Sequence, residues 1–194
     1  MANKSEPDTS PRPSLEFRPV TPACLPDLTL FSLAHGKFRY CSCMRWRMTS
    51  TDFRRSTVAE RAAALEALVR QGTPVGVPAF SDSAPVAWCS MAPRATYAAL
   101  GRYRALTLSD DANAWSVVCF FIDRRWRGQR VTLPLLAAAT VYAHAEGAAI
   151  VEGYPVEPDS RSYRYMGAPA VFEMAGYREV ARAGATRRVM HHYA

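Results

Sequence analysis

The run from Trp115 to Ile122, WSVVCFFI, is apolar on both of its alternating faces, and an alanine-rich stretch of helical period follows it within a few residues. A strand with two apolar faces has to lie inside a sheet that is covered on both sides, so the chain must build a layered α/β domain around it. The connection, DRRWRGQR, is rich in arginine and has Gly128 at its centre. A strand that empties through such a turn into a helix leaves the first helical amides without intrahelical acceptors. Those amides and the helix dipole form an anion site that needs no side chain.

The rest of the chain supplies elements for that layering. Leu15 to Val20 reads as a first strand. Thr21 precedes a short helix with Pro22 at its first position and apolar residues as far as Ala34. Phe38 to Met44 reads as strand or irregular. The Thr57-Val-Ala-Glu60 capping box opens a helix on which Val58, Ala62, Leu65 and Val69 recur at helical spacing, and Gly72 closes it. Val75 to Phe80 and Ala84 to Met91 form a hairpin, and Pro93 to Tyr103 is a loop or short helix. The helix after Gly128 places Val131, Leu135, Ala139 and Tyr142 on one stripe and ends near Gly147. Ala149 to Tyr154 is a second buried strand, stopped by Pro155, and it should run parallel to the first. A polar, tyrosine-bearing loop, a short helix from Pro169 to Ala175 and a hairpin around Gly184 complete the chain. Residues 1–14 are rich in proline, serine and charge and read as a disordered tail, leaving 15–194 as one domain.

The 194 residues carry a formal charge of +7, and only Lys4 and Lys37 among the cations are lysines. Arginine presents a planar fork suited to phosphate and carboxylate, so the excess suits a polyanionic ligand or a solvated basic surface. Five scattered cysteines argue against a disulfide framework and for a reducing, cytoplasmic setting. The first residues have no apolar segment of the signal-peptide kind, and no stretch approaches the length of a membrane span.

The passage around Gly128 resembles the coenzyme A site of the GNAT N-acetyltransferase superfamily, whose loop is written Gln/Arg-x-x-Gly-x-Gly/Ala. The match is Arg125-Trp126-Arg127-Gly128-Gln129-Arg130, followed by Val131 and Thr132. VFEMAGYREV, from Val171 to Val180, is similar to the closing helix and strand of that family, with Phe172, Gly176 and Tyr177 in its Leu-Tyr-x-x-x-Gly-Phe pattern. The resemblance spans about Leu15 to His192. It implies an α/β domain with a central, mostly antiparallel sheet whose parallel fourth and fifth strands splay apart, flanked by helices. It also implies acetyl-CoA as co-substrate, with its diphosphate on the backbone amides of Arg127, Gly128, Arg130, Val131 and Thr132. The side chains of Arg125, Arg127 and Arg130 would reach the adenosine phosphates, and the backbone of Phe121 and Ile122 would pair with the pantetheine arm.

The sequence departs from the family at three places. Arg130 stands where the loop has a second small residue, and a side chain there requires a negative φ. Phe172 stands where many members have a tyrosine acid, and Trp115-Ser116 where many have a glutamate base. Transfer to an amine needs a neutral amine, a polarised carbonyl and a proton for the leaving thiolate. Tyr163 and Tyr165 follow the fifth strand and are candidate proton donors, or else surface tyrosines. Glu152 is a candidate base or amine-binding anion at the mouth between the splayed strands, although a solvent-facing position on its strand is the stronger expectation. Glu157 and Asp159 add acid after that strand. Cys119 reads as core. Cys41-x-Cys43 would share one strand face, as structural or pocket-lining thiols, without the further ligands of a metal site. The Arg45-Trp46-Arg47 and Arg54-Arg55 segments read as a nucleic-acid patch, an acceptor-pocket wall or a solvated face.

Two functional readings follow. One is an acetyl-CoA-dependent N-acetyltransferase moving the acetyl group directly to an amine acceptor, a small molecule or a protein. The other is a non-catalytic module on the same fold, sensing acyl-CoA or binding nucleic acid. The first is favoured; metal, membrane and nucleic acid are not expected as partners, and a homodimer is compatible with the sequence.

Overall fold

The computed structural model describes residues 14–103, 106 and 113–194. The tail assigned to 1–14 therefore lies, but for its last residue, outside the described residues. A single seven-stranded sheet runs through the molecule in the order β1-β2-β3-β4-β5-β7-β6. Its strands are β1 (Glu16–Phe17), β2 (Gly76–Ser81), β3 (Ala84–Pro93), β4 (Ala114–Ile122), β5 (Ile150–Gly153), β6 (Arg178–Arg182) and β7 (Arg188–Tyr193). All neighbours are antiparallel except β4 and β5, which are parallel, as the two apolar runs predict. The first strand is shorter than Leu15 to Val20: Pro19 has no amide to give to a ladder, and pairing stops at Phe17.

Helices cover both faces. On one side lie α5 (Thr132–Ala145) and α6 (Pro169–Met174), packed through Leu135, Leu136, Ala139 and Phe172 against Val117, Val151 and Met190. On the other lie α1 (Leu25–Ala34), α2 (Gly36–Cys41), α3 (Ser50–Arg55) and α4 (Val58–Arg70), whose Leu28, Phe31, Phe38, Phe53 and Leu65 close over Trp88. The capping box at Thr57 is formed, with the Thr57 backbone N–H reaching Glu60 at 2.6 Å. Among the described residues no helix is long and apolar enough to cross a membrane.

Phe38 to Met44 is not a strand. The segment is helical to Cys41 and then turns through left-handed Ser42 (φ 42°) and Cys43 (φ 53°). Its alternation of aromatic and polar residues mimics a strand, but the Phe38 ring is held by Phe31, Trp88 and Phe121, with centroids 5.6, 5.9 and 5.5 Å away. Tertiary packing decides the local conformation here.

The β4–β5 pair positions the site. Their ladder runs from Ala114 opposite Ile150 to Val117 opposite Gly153 and ends there, because β5 leaves through Tyr154 and Pro155 while β4 continues to Ile122. On its other edge β4 bulges: Ser90 faces Cys119 and Met91 faces Val117, so Val118 is the extra residue. The bulge and the parting of the strands fall at the same place, and a gap opens through the sheet.

Candidate active site

A groove of about 1200 Å³ occupies that gap. At one end it is bordered by Arg127 and Thr132, at the start of α5. Along its length run Val118 to Ile122 of β4. At the other end, on the face covered by α1 to α4, it reaches Tyr40, Cys41, Cys43, Arg45, Trp46 and Phe53, with Tyr165 from the loop after β5.

The loop at the first end is a turn with a left-handed Gly128 (φ 79°) and a left-handed Arg130 (φ 58°). The expectation of a negative φ at Arg130 is therefore overturned. A left-handed residue next to right-handed Val131 (φ −63°) swings consecutive amides toward one point, the concave geometry that receives anions, at a strain of roughly 1–2 kcal/mol for a non-glycine. The helical ladder begins with Leu135 N–H on the Val131 carbonyl at 3.2 Å, and Pro134 has no N–H, so the amides of Val131 and Thr132 stand at the open end of α5. The Arg127 amide turns inward to the Arg124 carbonyl at 3.4 Å, and the Arg127 Nε donates to the Ile122 carbonyl at 3.1 Å. Arg125 is drawn back to Asp123, its Nη2 2.9 Å from the carboxylate, which holds that acid below its usual range. Phe121, Ile122, Arg127 and Thr132 thus line the groove, Gly128 and Arg130 shape the turn, Val131 gives only its backbone, and the Arg125 side chain is engaged elsewhere.

The catalytic candidates separate. Tyr165 lines the groove, and its desolvation there, with lesser effects of the neighbouring Cys119 and Cys41, raises its phenol well above the ordinary value. Tyr163, left-handed at φ 60°, faces a separate pocket of about 360 Å³ under the Arg187 guanidinium, 3.9 Å from its ring centroid. Glu152 does not face solvent, contrary to expectation: it is 0% exposed. Its carboxylate accepts from Arg94 Nη1 at 2.8 Å and from the Tyr154 hydroxyl at 2.7 Å, with His191 Nε2 at 3.4 Å. It belongs to a buried network beneath the sheet and is not part of the groove wall. Glu157 does line the groove, but it is 2.7 Å from Arg188 Nε, which holds its carboxyl below the usual range. Phe172 is fully buried against Tyr177 and Phe120, which explains a position without a hydroxyl.

Cys41 and Cys43 both line the groove, at the end of α2 and in the turn after it instead of on a strand. Among the described residues no group of His, Cys, Asp or Glu could hold a metal ion. Cys43 is more distinctive than its place in the sequence shows, since Trp88 and Cys119, which engage its sulfur, come from β3 and β4.

No protein-family model and no curated protein matches the sequence. The fold does have counterparts. The chain is similar to PaiA N-acetyltransferase from Thermoplasma acidophilum, solved with coenzyme A, at a TM-score of 0.53 and 14% identity over 93% of this chain and 99% of that one. It is similar to YncA, a putative acetyltransferase from Salmonella typhimurium solved with acetyl-CoA, at 0.52 and 11% over 92% and 93%. It is also similar to a GNAT-family acetyltransferase from Streptococcus pneumoniae, at 0.53 and 14% over 93% and 99%. The chain has the GNAT acetyltransferase fold, with the parallel β4–β5 pair of that fold.

Proposed function

We propose that this protein is an acetyl-CoA-dependent N-acetyltransferase of the GNAT superfamily that moves the acetyl group directly to an amine. The observation that carries this reading is the continuous groove from the open end of α5, through the gap between β4 and β5, to Tyr165 on the far side.

The residues fit the co-substrate. Amides at the turn of Gly128, Arg130, Val131 and Thr132 receive the diphosphate, because two left-handed residues aim them outward and no Cβ stands on Gly128. The edge of β4 beyond Val117 receives the pantetheine arm. Acetyl-CoA supplies an activated acyl group on a thiol leaving group. Around the bulge at Val118 the backbone polarises the acyl carbonyl. Tyr165 keeps its proton across neutral pH and can give it to the departing sulfur, and the proton that the attacking amine sheds, carried by solvent, restores the phenol.

Isothermal calorimetry with coenzyme A, followed by thiol release from acetyl-CoA with a panel of amines, tests the proposal. Binding with turnover on at least one amine supports it, and no binding overturns it. The buried Phe172 and the sequestered Glu152 favour one alternative, an acyl-CoA sensor, which would bind the coenzyme tightly and release no thiol with any amine.

A further inference from the structure

Arg45 stands in the turn that follows α2 and reaches into the acceptor end of the groove. Its guanidinium carbon lies 5.7 Å from the centroid of the Trp46 ring and 5.8 Å from that of Phe53. The Nη1 atom is sealed from solvent and, among the described residues, has no hydrogen-bond partner. Among the described residues, no carboxylate comes within ion-pairing distance of this arginine. Glu157, the acid that lines the same groove, is taken up by Arg188 at 2.7 Å and Arg182 at 3.5 Å and makes no ion pair with Arg45. Arg164 lines the groove as well, besides the Arg127 that borders it at the start of α5.

A guanidinium held against aromatic rings with a buried, unmatched N–H is an anion receptor waiting for its acceptor atoms, and its planar fork matches a carboxylate. The surrounding wall of Tyr40, Trp46, Phe53 and Tyr165 suits an apolar or aromatic body. We propose that the acceptor is a small amine that also carries a carboxylate, an amino acid with an apolar or aromatic side chain, and that Arg45 binds its carboxylate. The proposal rests on the transferase reading and names the substrate class of the same site. It disfavours polyamines, which would bring positive charge to a positive wall.

The test compares matched pairs that differ only in the carboxylate, L-phenylalanine with phenethylamine and L-leucine with isoamylamine, titrated calorimetrically into protein saturated with coenzyme A. The wild type should bind the amino acid of each pair about tenfold more tightly, the effect of one charge-assisted hydrogen-bonded pair. Arg45→Gln should abolish that preference while the amines bind as before, and Arg45→Lys, a charge without the fork, should retain part of it. The thermal midpoint and coenzyme A affinity of each variant show that fold and cofactor end are intact. Equal binding within the pairs, a preference that survives in Arg45→Gln, or no binding of either member overturns the proposal. Failure of coenzyme A itself to bind the wild type removes the transferase reading along with it, and is told apart because the first titration is then flat.

Discussion

The indole Nε1–H of Trp88 points at the sulfur of Cys43 from 2.9 Å, and both side chains are buried. Cys43 reaches this position only because the chain turns through two left-handed residues after α2. Hydrogen bonding from Cys119, and then from Trp88, holds the thiol below its ordinary value despite burial. A thiol whose pKa falls on folding is more ionised folded than unfolded, so its stabilising contribution grows toward alkaline pH and disappears as pH drops below the folded value.

Its neighbour behaves oppositely. Desolvation, with the charge of Cys43 adding to it, pushes the Cys41 thiol up to about 11. Both thiols line the same groove, Cys43 buried and Cys41 half-buried, so access sets how fast each reacts while ionisation sets the pH at which its reaction rises. Alkylation by iodoacetamide, followed by peptide mapping across pH, should therefore modify Cys43 at lower pH than Cys41. The reverse order would contradict the hydrogen-bonded thiolate.

Gly128 has a φ of 79°, and a Cβ added there would meet nothing within 4 Å. Gly128→Trp thus carries backbone strain of roughly 1–2 kcal/mol without a clash in the core, and the protein should stay folded. The new indole projects over the turn that is assigned to the diphosphate. Coenzyme A affinity should fall by about 100-fold or more, measured by calorimetry beside an unchanged circular dichroism spectrum. Unaltered affinity would refute the loop assignment.

The two tyrosines after β5 were inseparable by sequence but are separated by the fold. Tyr165 lines the large groove; Tyr163 lines the smaller pocket beside Arg187. Tyr165→Phe should lower kcat by about 100-fold with little change in coenzyme A affinity, and Tyr163→Phe should stay near the wild-type rate. Equal rates in both variants would remove Tyr165 as the proton donor.

Much of this architecture was legible because its signals are local. A strand buried on both faces needs a continuous apolar run, and Trp115 to Ile122 supplies one; a helix start needs a cap, and Thr57 to Glu60 supplies one. What stayed hidden depends on residues far apart in the chain. The helix ending at Cys41 owes its form to rings at positions 31, 88 and 121. The left-handed Arg130 is invisible because an arginine gives no cue to positive φ. Arg45 reads as one basic residue among many until its missing partner is seen.

Packing around Gly153 offers a test that is independent of chemistry. A Cβ on Gly153 would lie 2.0 Å from the Phe172 ring, which is fully buried and packed against Phe120 and Tyr177. Gly153→Ala should destabilise the protein by about 1–3 kcal/mol through overpacking. Over a chain of this size that lowers the thermal midpoint by roughly 2–12 °C. An unchanged midpoint would mean that β5 and α6 are further apart than described.

Glu152 is the clearest case of a charge whose partners the sequence could not announce: Arg94 is 58 residues away and His191 lies on β7. With the Glu152 carboxylate fully buried, Glu152→Gln leaves the Arg94 cation, whose side chain is 18% exposed, against a neutral amide. Breaking one side of such a pair should cost about 3 kcal/mol, seen as a lower midpoint in urea. The catalytic consequence is different. A general base must be ionised, so activity would fall as pH drops through its pKa, and the glutamine variant would lose that acid limb. Because the carboxylate lies off the groove wall and is already satisfied by Arg94 and Tyr154, the residual activity of Glu152→Gln should trace the wild-type pH profile. A lost acid limb would return Glu152 to the mechanism as its base and would require a proton path from the groove through Ser116 and Tyr154, whose hydroxyls lie 3.0 Å apart beside it.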